Sequence, residues 1–205
     1  ASLRLVNPIS ADLSIMRPSA LPNLLSAAAR NQDRGETDIA MFEVGPVFLG
    51  DEPDHQRTAL AAIRHGAMAP REWHGSRRSV DVFDAKADAE AALMVLGVRL
   101  GSLQIESGGP DYFHPGRCGR LLQGRSLLAQ FGEVHPQVAS HFGLRNSLVG
   151  FELFLEDVPF AKSRGPARSY LKMSPFQPVS RDFAFILDDD VPASQLLRAV
   201  KSAAG

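Results

Sequence analysis

The sequence predicts an α+β fold, and three observations carry that prediction. First, 44% of its 205 residues are hydrophobic and 22% charged, the balance of a soluble globular chain with a real core. Second, segments of helical spacing, such as Leu21, Leu24, Leu25 and Ala28, are interspersed with alternating ones. Phe151, Leu153 and Leu155 against Glu152 and Phe154 are an example. Third, no repeat or low-complexity tract is present.

The first helix follows Arg17-Pro18-Ser19, with Ser19 as N-cap, and stops near Gly35 after Arg30 and Arg34 at its negative end. Ile39 to Phe48 reads as a strand whose Gly45-Pro46 pair marks a bulge or an edge. Arg57 to Ile63 is a second, alanine-rich strand. Residues 66–79 read as a loop pinned by Trp73, the one tryptophan, with Ser79 to Phe83 a short strand after it. Asp84 to Leu96 is a helix with acids in its first turns and Gly97 closing it.

Arg117 to Leu122 and Ser126 to Glu133 form a hairpin around Gln123-Gly124-Arg125. Pro136 to Phe142 is a short helix ending at Gly143, and Leu148 to Leu155 a strand. Residues 161–180 hold four basic residues and three prolines, the composition of a linker. Beyond them Phe183, Phe185 and Leu187 alternate as a strand, and an acidic turn at Asp188 to Asp190 leads to a helix from Ala193 to Ala203. One strand and one helix bury too little apolar surface for a domain, so the chain is expected to stop inside its second domain.

Several function classes drop out. The longest apolar run, Ala91 to Leu96, is far short of the ~20 residues that cross a bilayer, so no membrane partner is expected. The single Cys118 excludes an internal disulfide and suits a reducing compartment; a cytoplasmic location is the expectation. Asn7-Pro8 breaks the first apolar stretch, so no signal peptide is read, and a chain beginning at Ala1 reads as a piece of a longer one.

The net charge of −1 hides segregation: residues 33–54 carry seven acids and one base, and residues 57–78 five arginines and one Glu. Lys162, Arg164, Arg168 and Lys172 form a second basic stretch. These runs are either solvated faces or a surface shared with a charged partner.

No phosphate-binding G-x-x-x-x-G-K-S/T, dinucleotide G-x-G-x-x-G or G-x-S-x-G elbow occurs. None of the six histidines has the i, i+4 spacing of a zincin helix; His114-Pro115 and His135-Pro136 suit turn capping instead. Cys118 as a nucleophile needs a neighbouring base, and the alternative is an ordinary small strand residue.

A set of short stretches, in order, carries a resemblance. They are Asn7-Pro8-Ile9-Ser10; Ser14 to Leu25, containing Met16-Arg17-Pro18-Ser19; Phe42-Glu43-Val44-Gly45-Pro46-Val47-Phe48; and Val80-Asp81-Val82-Phe83-Asp84-Ala85-Lys86. His114-Pro115-Gly116-Arg117, Phe131 to Pro136 and Pro175 to Phe185 complete the set. Together they resemble the C-terminal part of the bacterial phenylalanyl-tRNA synthetase beta chain.

The resemblance implies that residues 1–160 form a catalytic-like, inactive class II aminoacyl-tRNA synthetase core, an antiparallel sheet with flanking helices. Residues 161–180 would be a linker, and 181–205 the truncated start of a ferredoxin-like anticodon-binding domain. A working class II site needs an arginine after the motif-2 strand to neutralise the ATP phosphate and the amino-acid carboxylate. Here Gly45-Pro46-Val47-Phe48 continues into Leu49-Gly50-Asp51-Glu52, and acids stand in that place. The third motif's glycines and arginine are replaced in Gly150-Phe151-Glu152-Leu153-Phe154-Leu155-Glu156.

The expectation is therefore a module with no catalytic, cofactor or metal residues of its own. ATP and magnesium are implied only for the whole complex, an α2β2 heterotetramer that charges tRNA(Phe) with phenylalanine. The implied role is support of the alpha chain. Arg17 and Arg117 are either interface residues or internal ion-pair partners. Lys162, Arg164, Arg168, Lys172 and Arg181 either touch tRNA or belong to a solvated linker. An independent ligase using Arg57, or a free-standing tRNA-binding module, are the alternatives.

Overall fold

The computed structural model describes residues 3–69, 73, 77–159, 170, 173 and 175–203. The chain divides into two units, residues 1–161 and 162–205.

In the first unit, helix α1 (Leu21–Asp33) buries Leu21, Leu24, Leu25 and Ala28, the face read from the sequence. Strands β1 (Ile39–Phe48) and β2 (Gln56–His65) follow as a hairpin, then helix α2 (Val82–Val95), strand β3 (Gln104–Ser107), the hairpin of β4 (Phe113–Gln123) and β5 (Ser126–Val134), helix α3 (Pro136–His141) and strand β6 (Leu148–Phe154). They build one antiparallel sheet in the order β1-β2-β6-β5-β4-β3. Gln123 pairs with Ser126 across a two-residue turn in which Gly124 takes φ +62°, a conformation that favours glycine.

The strand β1 is an edge, as Gly45-Pro46 suggests. The Phe48 amide points away from β2 and donates to the Arg17 carbonyl at 2.9 Å. Pro46, two residues earlier, points the same way, so its missing N–H costs no ladder bond. Its carbonyl accepts from Arg17 Nε at 2.9 Å.

The two sides of the sheet carry separate cores. Helix α1 covers one with Val47, Ala59, Ala61, Ile63, Phe113 and Leu148. Helix α2 covers the other with Leu121, Leu128, Phe131, Phe151 and Leu153. Because β6 lies in mid-sheet between these layers, its first six residues are all buried. The alternation read there as a polar and an apolar side does not hold: Glu152 is 2% exposed.

Trp73 is 96% exposed. One further expectation is corrected. Ser79 makes only an isolated bridge to Ala67, and the expected strand from Ser79 to Phe83 gives way to a helix start at Val82. Asp81 is its N-cap, accepting from the Phe83 and Asp84 amides while Asp84 accepts from the Asp81 amide, a complete capping box. The fully exposed β3 was not foreseen.

In the second unit, helix α4 (Ala193–Ala203) forms over the expected span. Phe183, Phe185 and Leu187 lie in no strand, contrary to their alternation. The rings of Phe183 and Phe185 stack on each other instead, 6.3 Å apart. Most of the predicted linker lies outside the described residues.

Candidate functional site

On the α1 side of the sheet the centre is occupied by the protein's own polar groups. Glu152 pairs in register with Ala61 on one side and Gln130 on the other. Its carboxylate accepts from Ser19 Oγ at 2.9 Å, the Ala20 amide at 3.0 Å and the Tyr112 hydroxyl at 3.4 Å. Burial pushes the Glu152 carboxyl up, against the pull of those donors. Burial, with the Glu152 charge beside it, pushes the Tyr112 phenol up.

The N-cap of α1 is Ala20 rather than the expected Ser19; Ser19 Oγ accepts from the Leu21 amide at 3.1 Å, and the same hydroxyl ties the start of α1 to β6. Arg17 lies at the rim of this cluster and pairs with Glu43. Every charge in the cluster is answered from inside the fold.

The space above the neighbouring strands is filled too. Gly132 and Gly150 face each other in register. A Cβ on Gly132 would come within 2.7 Å of Cys118 Cβ and 2.8 Å of Phe113 Cγ; one on Gly150 would come within 2.6 Å of the Ala62 carbonyl. The glycines thus admit the protein's own side chains and strands, leaving no slot there for a planar base.

The loop between β1 and β2 carries Asp51, Glu52 and Asp54, all exposed. The arginines weighed from the sequence are engaged elsewhere. Arg57 reaches Asp157 at 3.2 Å, and Arg117 pairs with Glu133. Arg17 and Arg117 are therefore internal ion-pair partners. Arg117 holds the Glu133 carboxyl below its usual range, and Arg78 does the same to Asp84.

His114 and His135 act as turn caps: Gly116 N–H donates to His114 Nδ1 at 3.1 Å, and Gln137 N–H to His135 Nδ1 at 3.2 Å. Among the described residues no group of three or more His, Cys, Asp or Glu side chains is placed to hold a metal ion. Burial pushes the Cys118 thiol up, which works against a thiolate nucleophile.

Lys162, Arg164, Arg168 and Lys172 lie outside the described residues. Arg181 is exposed and donates to the neighbouring Ser180 carbonyl at 3.1 Å. Sequence reasoning missed a cleft of about 720 Å³ on the opposite side of the sheet, between α2 and the outer strands β1 and β2. Its walls are apolar except for Arg64 and Asp88, which pair with each other. Part of the signal was present: Phe83, Ala87, Ala91 and Val95 recur every four residues along α2 and are exposed.

A family model described as the phenylalanyl tRNA synthetase beta chain CLM domain matches residues 1–155. The phenylalanine–tRNA ligase beta subunit of Rhodospirillum rubrum is 46% identical over 203 residues, covering 98% of this chain and 25% of that protein. That of Bartonella henselae is 48% identical over 209 residues, covering 99% and 26%. The chain thus spans about a quarter of the length of these relatives. Among solved structures, a pyrrolysyl tRNA synthetase of Desulfitobacterium hafniense superposes with a TM-score of 0.52 at 17% identity, over 74% of this chain and 51% of that one. A second structure of that enzyme gives 0.53 at 15%, over 77% and 52%. At that identity the likeness speaks for the fold, a synthetase-type sheet. No helix among the described residues is long and apolar enough to cross a membrane.

Proposed function

Since the chain belongs to the phenylalanyl-tRNA synthetase beta chain family, we propose that it is a non-catalytic structural module of a phenylalanine–tRNA ligase. In this reading residues 1–160 support the alpha chain within an α2β2 heterotetramer, and the alpha chain carries out the ATP-dependent charging of tRNA(Phe) with phenylalanine. Residues 161–180 are a linker and 181–205 the start of a ferredoxin-like anticodon-binding domain. The complex works in the cytoplasm.

The observation that carries the reading is the sealed α1 side of the sheet. A buried carboxylate held by three donors stands in mid-strand where a class II core would face its substrates. A second anion there would meet Glu152 in a low-dielectric setting, where like charges repel most. The loop acids at Asp51, Glu52 and Asp54 repel a triphosphate in the same sense.

Calorimetric titration of the chain with magnesium–ATP and with phenylalanine tests this. No heat of binding is expected for either ligand. Saturable binding at micromolar concentration would overturn the structural reading.

A further inference from the structure

Two histidine–proline steps meet at the open end of the β4–β5 hairpin. Phe113 pairs with Val134 there, and the ladder resumes only at Cys118 and Gly132, so residues 114–117 bulge out opposite Glu133. His114 and His135 each follow one member of the isolated Phe113–Val134 pair, which makes them diagonal neighbours across the strands. Their rings stack with centroids 6.5 Å apart and planes 27° from parallel. Phe113 and Val134 are buried in the α1-side core, whereas both histidines are half-buried and open to protons from solvent.

Each ring holds the backbone amide two residues on, Gly116 at His114 Nδ1 and Gln137 at His135 Nδ1. An accepting Nδ1 is unprotonated. Once the ring takes a second proton, both its nitrogens are donors and the amide faces an N–H. The His135 bond bears on α3 directly, since it caps the start of a helix of only six residues. Glu133, opposite the bulge, feels the charge of His114 and is also held by Arg117 and Ser147. The other titratable neighbours are Tyr112, whose phenol turns to Glu152, and Cys118, whose thiol turns to the Pro115 carbonyl. His114 therefore has a partner in either state, the Gly116 amide when neutral and Glu133 when charged. Two charged rings at this separation repel each other.

We propose that His114 and His135 form a proton-operated latch, which holds the bulge at 114–117 and the start of α3 closed while both rings are neutral and releases them when the rings are charged. Imidazole is the side chain that changes charge between about pH 5 and pH 8, so the latch is closed above that interval and open below it. Release is mutual, because each ring's charge acts on the other and one isolated ladder pair aligns both. Opening stays local: the His135 amide still donates to the Tyr112 carbonyl, and the ladder from Cys118 onward contains neither ring. The latch concerns the hairpin end alone and stands or falls separately from the module's place in a ligase.

Nitrogen-15 NMR of the full chain from about pH 8 to about pH 5 tests this. At the alkaline end the ring nitrogens of both histidines should report the tautomer protonated at Nε2. Hydrogen-exchange protection of the Gly116 and Gln137 amides, corrected for the intrinsic pH dependence of exchange, should fall about fivefold on acidification, the worth of a cap. His114→Asn keeps a short side-chain acceptor for the Gly116 amide and removes the titrating group. In that variant Gly116 protection should no longer depend on pH. His135 should bind its proton about fivefold more tightly there, having lost a charged neighbour. Should His114→Asn fail to fold, His135→Asn gives the same comparison with Gln137 as reporter and His114 as the titrating ring. Rings protonated at Nδ1 at the alkaline end overturn the proposal. So does protection that stays constant in the parent chain or still varies with pH in the variant. An unchanged proton affinity at the remaining histidine would show two independent caps, and overturns the latch as well.

Discussion

At Glu152 a buried carboxylate is tolerated because three donors surround it, and each donor depends on it in return. Glu152→Ala would leave the Ala20 amide and the Ser19 and Tyr112 hydroxyls without their acceptor inside a packed layer. That should cost about 2–4 kcal/mol in urea unfolding. Glu152→Gln keeps one acceptor oxygen and should cost less. The pH dependence has a definite sign. The folded carboxyl is raised above its unfolded value by burial, so the folded state binds the proton more readily. The wild type should therefore gain stability relative to Glu152→Gln as pH falls from neutral toward the ordinary carboxylate range, and level off below it. A loss over that interval would show that the donors outweigh burial. Residue type alone did not reveal this position. A Glu flanked by Phe and Leu reads as the wet side of a strand, and only a second covering layer turns that side inward.

Among the elements, α2 shows how a local signal misplaces a boundary. Val80, Val82 and Phe83 favour a strand by composition, but the Asp81 and Asp84 carboxylates satisfy the free amides of a helix start. Arg78 then clamps Asp84. Asp81→Ala should cost about 1 kcal/mol as the loss of a cap. Asp84→Ala should cost more, since Asp84 is buried and holds both the Asp81 amide and Arg78. Chemical denaturation of the two variants measures the order, and the reverse ranking would mean that the box contributes more than the ion pair. Strand β3 was illegible for the opposite reason. Its four residues are all exposed, so burial prints no pattern on them, and only pairing with β4 makes them a strand. Phe183 to Leu187 have the pattern and no partner, and alternation by itself builds no ladder. Where a segment carries both its own pattern and its own stop signals, as in α1, β1, α3 and α4, sequence and structure agree closely.

For the whole molecule, part of the charge segregation seen in the sequence is paired off between neighbours in space. Asp38 pairs with Arg77, Glu43 with Arg17, and Arg57 with Asp157. What remains outward on the α2 side is apolar, which suits assembly better than it suits a polyanion. If the chain serves as a support for an alpha chain, co-expression with a tagged alpha chain from a relative's complex should bring it down in stoichiometric amount. The result should hold at high salt, since screening weakens ion pairs and leaves apolar contacts intact. Recovery that collapses as salt rises would assign the contact to the loop acids and exposed arginines instead.

The sheet order also sets a timetable. The hairpins β1-β2 and β4-β5 are each local, yet they touch only through β6, which is last in the chain and enters between them. Without residues 148–154 the two hairpins would share no strand, β2 and β5 would keep unpaired inner edges, and α1 would lack Glu152 at its first turn. Closure is then a single late event that joins contacts 133 residues apart, such as that between Ser19 and Glu152. A chain that delays its central strand in this way folds slowly for its size and presents those edges to any neighbour in the meantime. Its vulnerable period is the interval of synthesis before the sixth strand arrives.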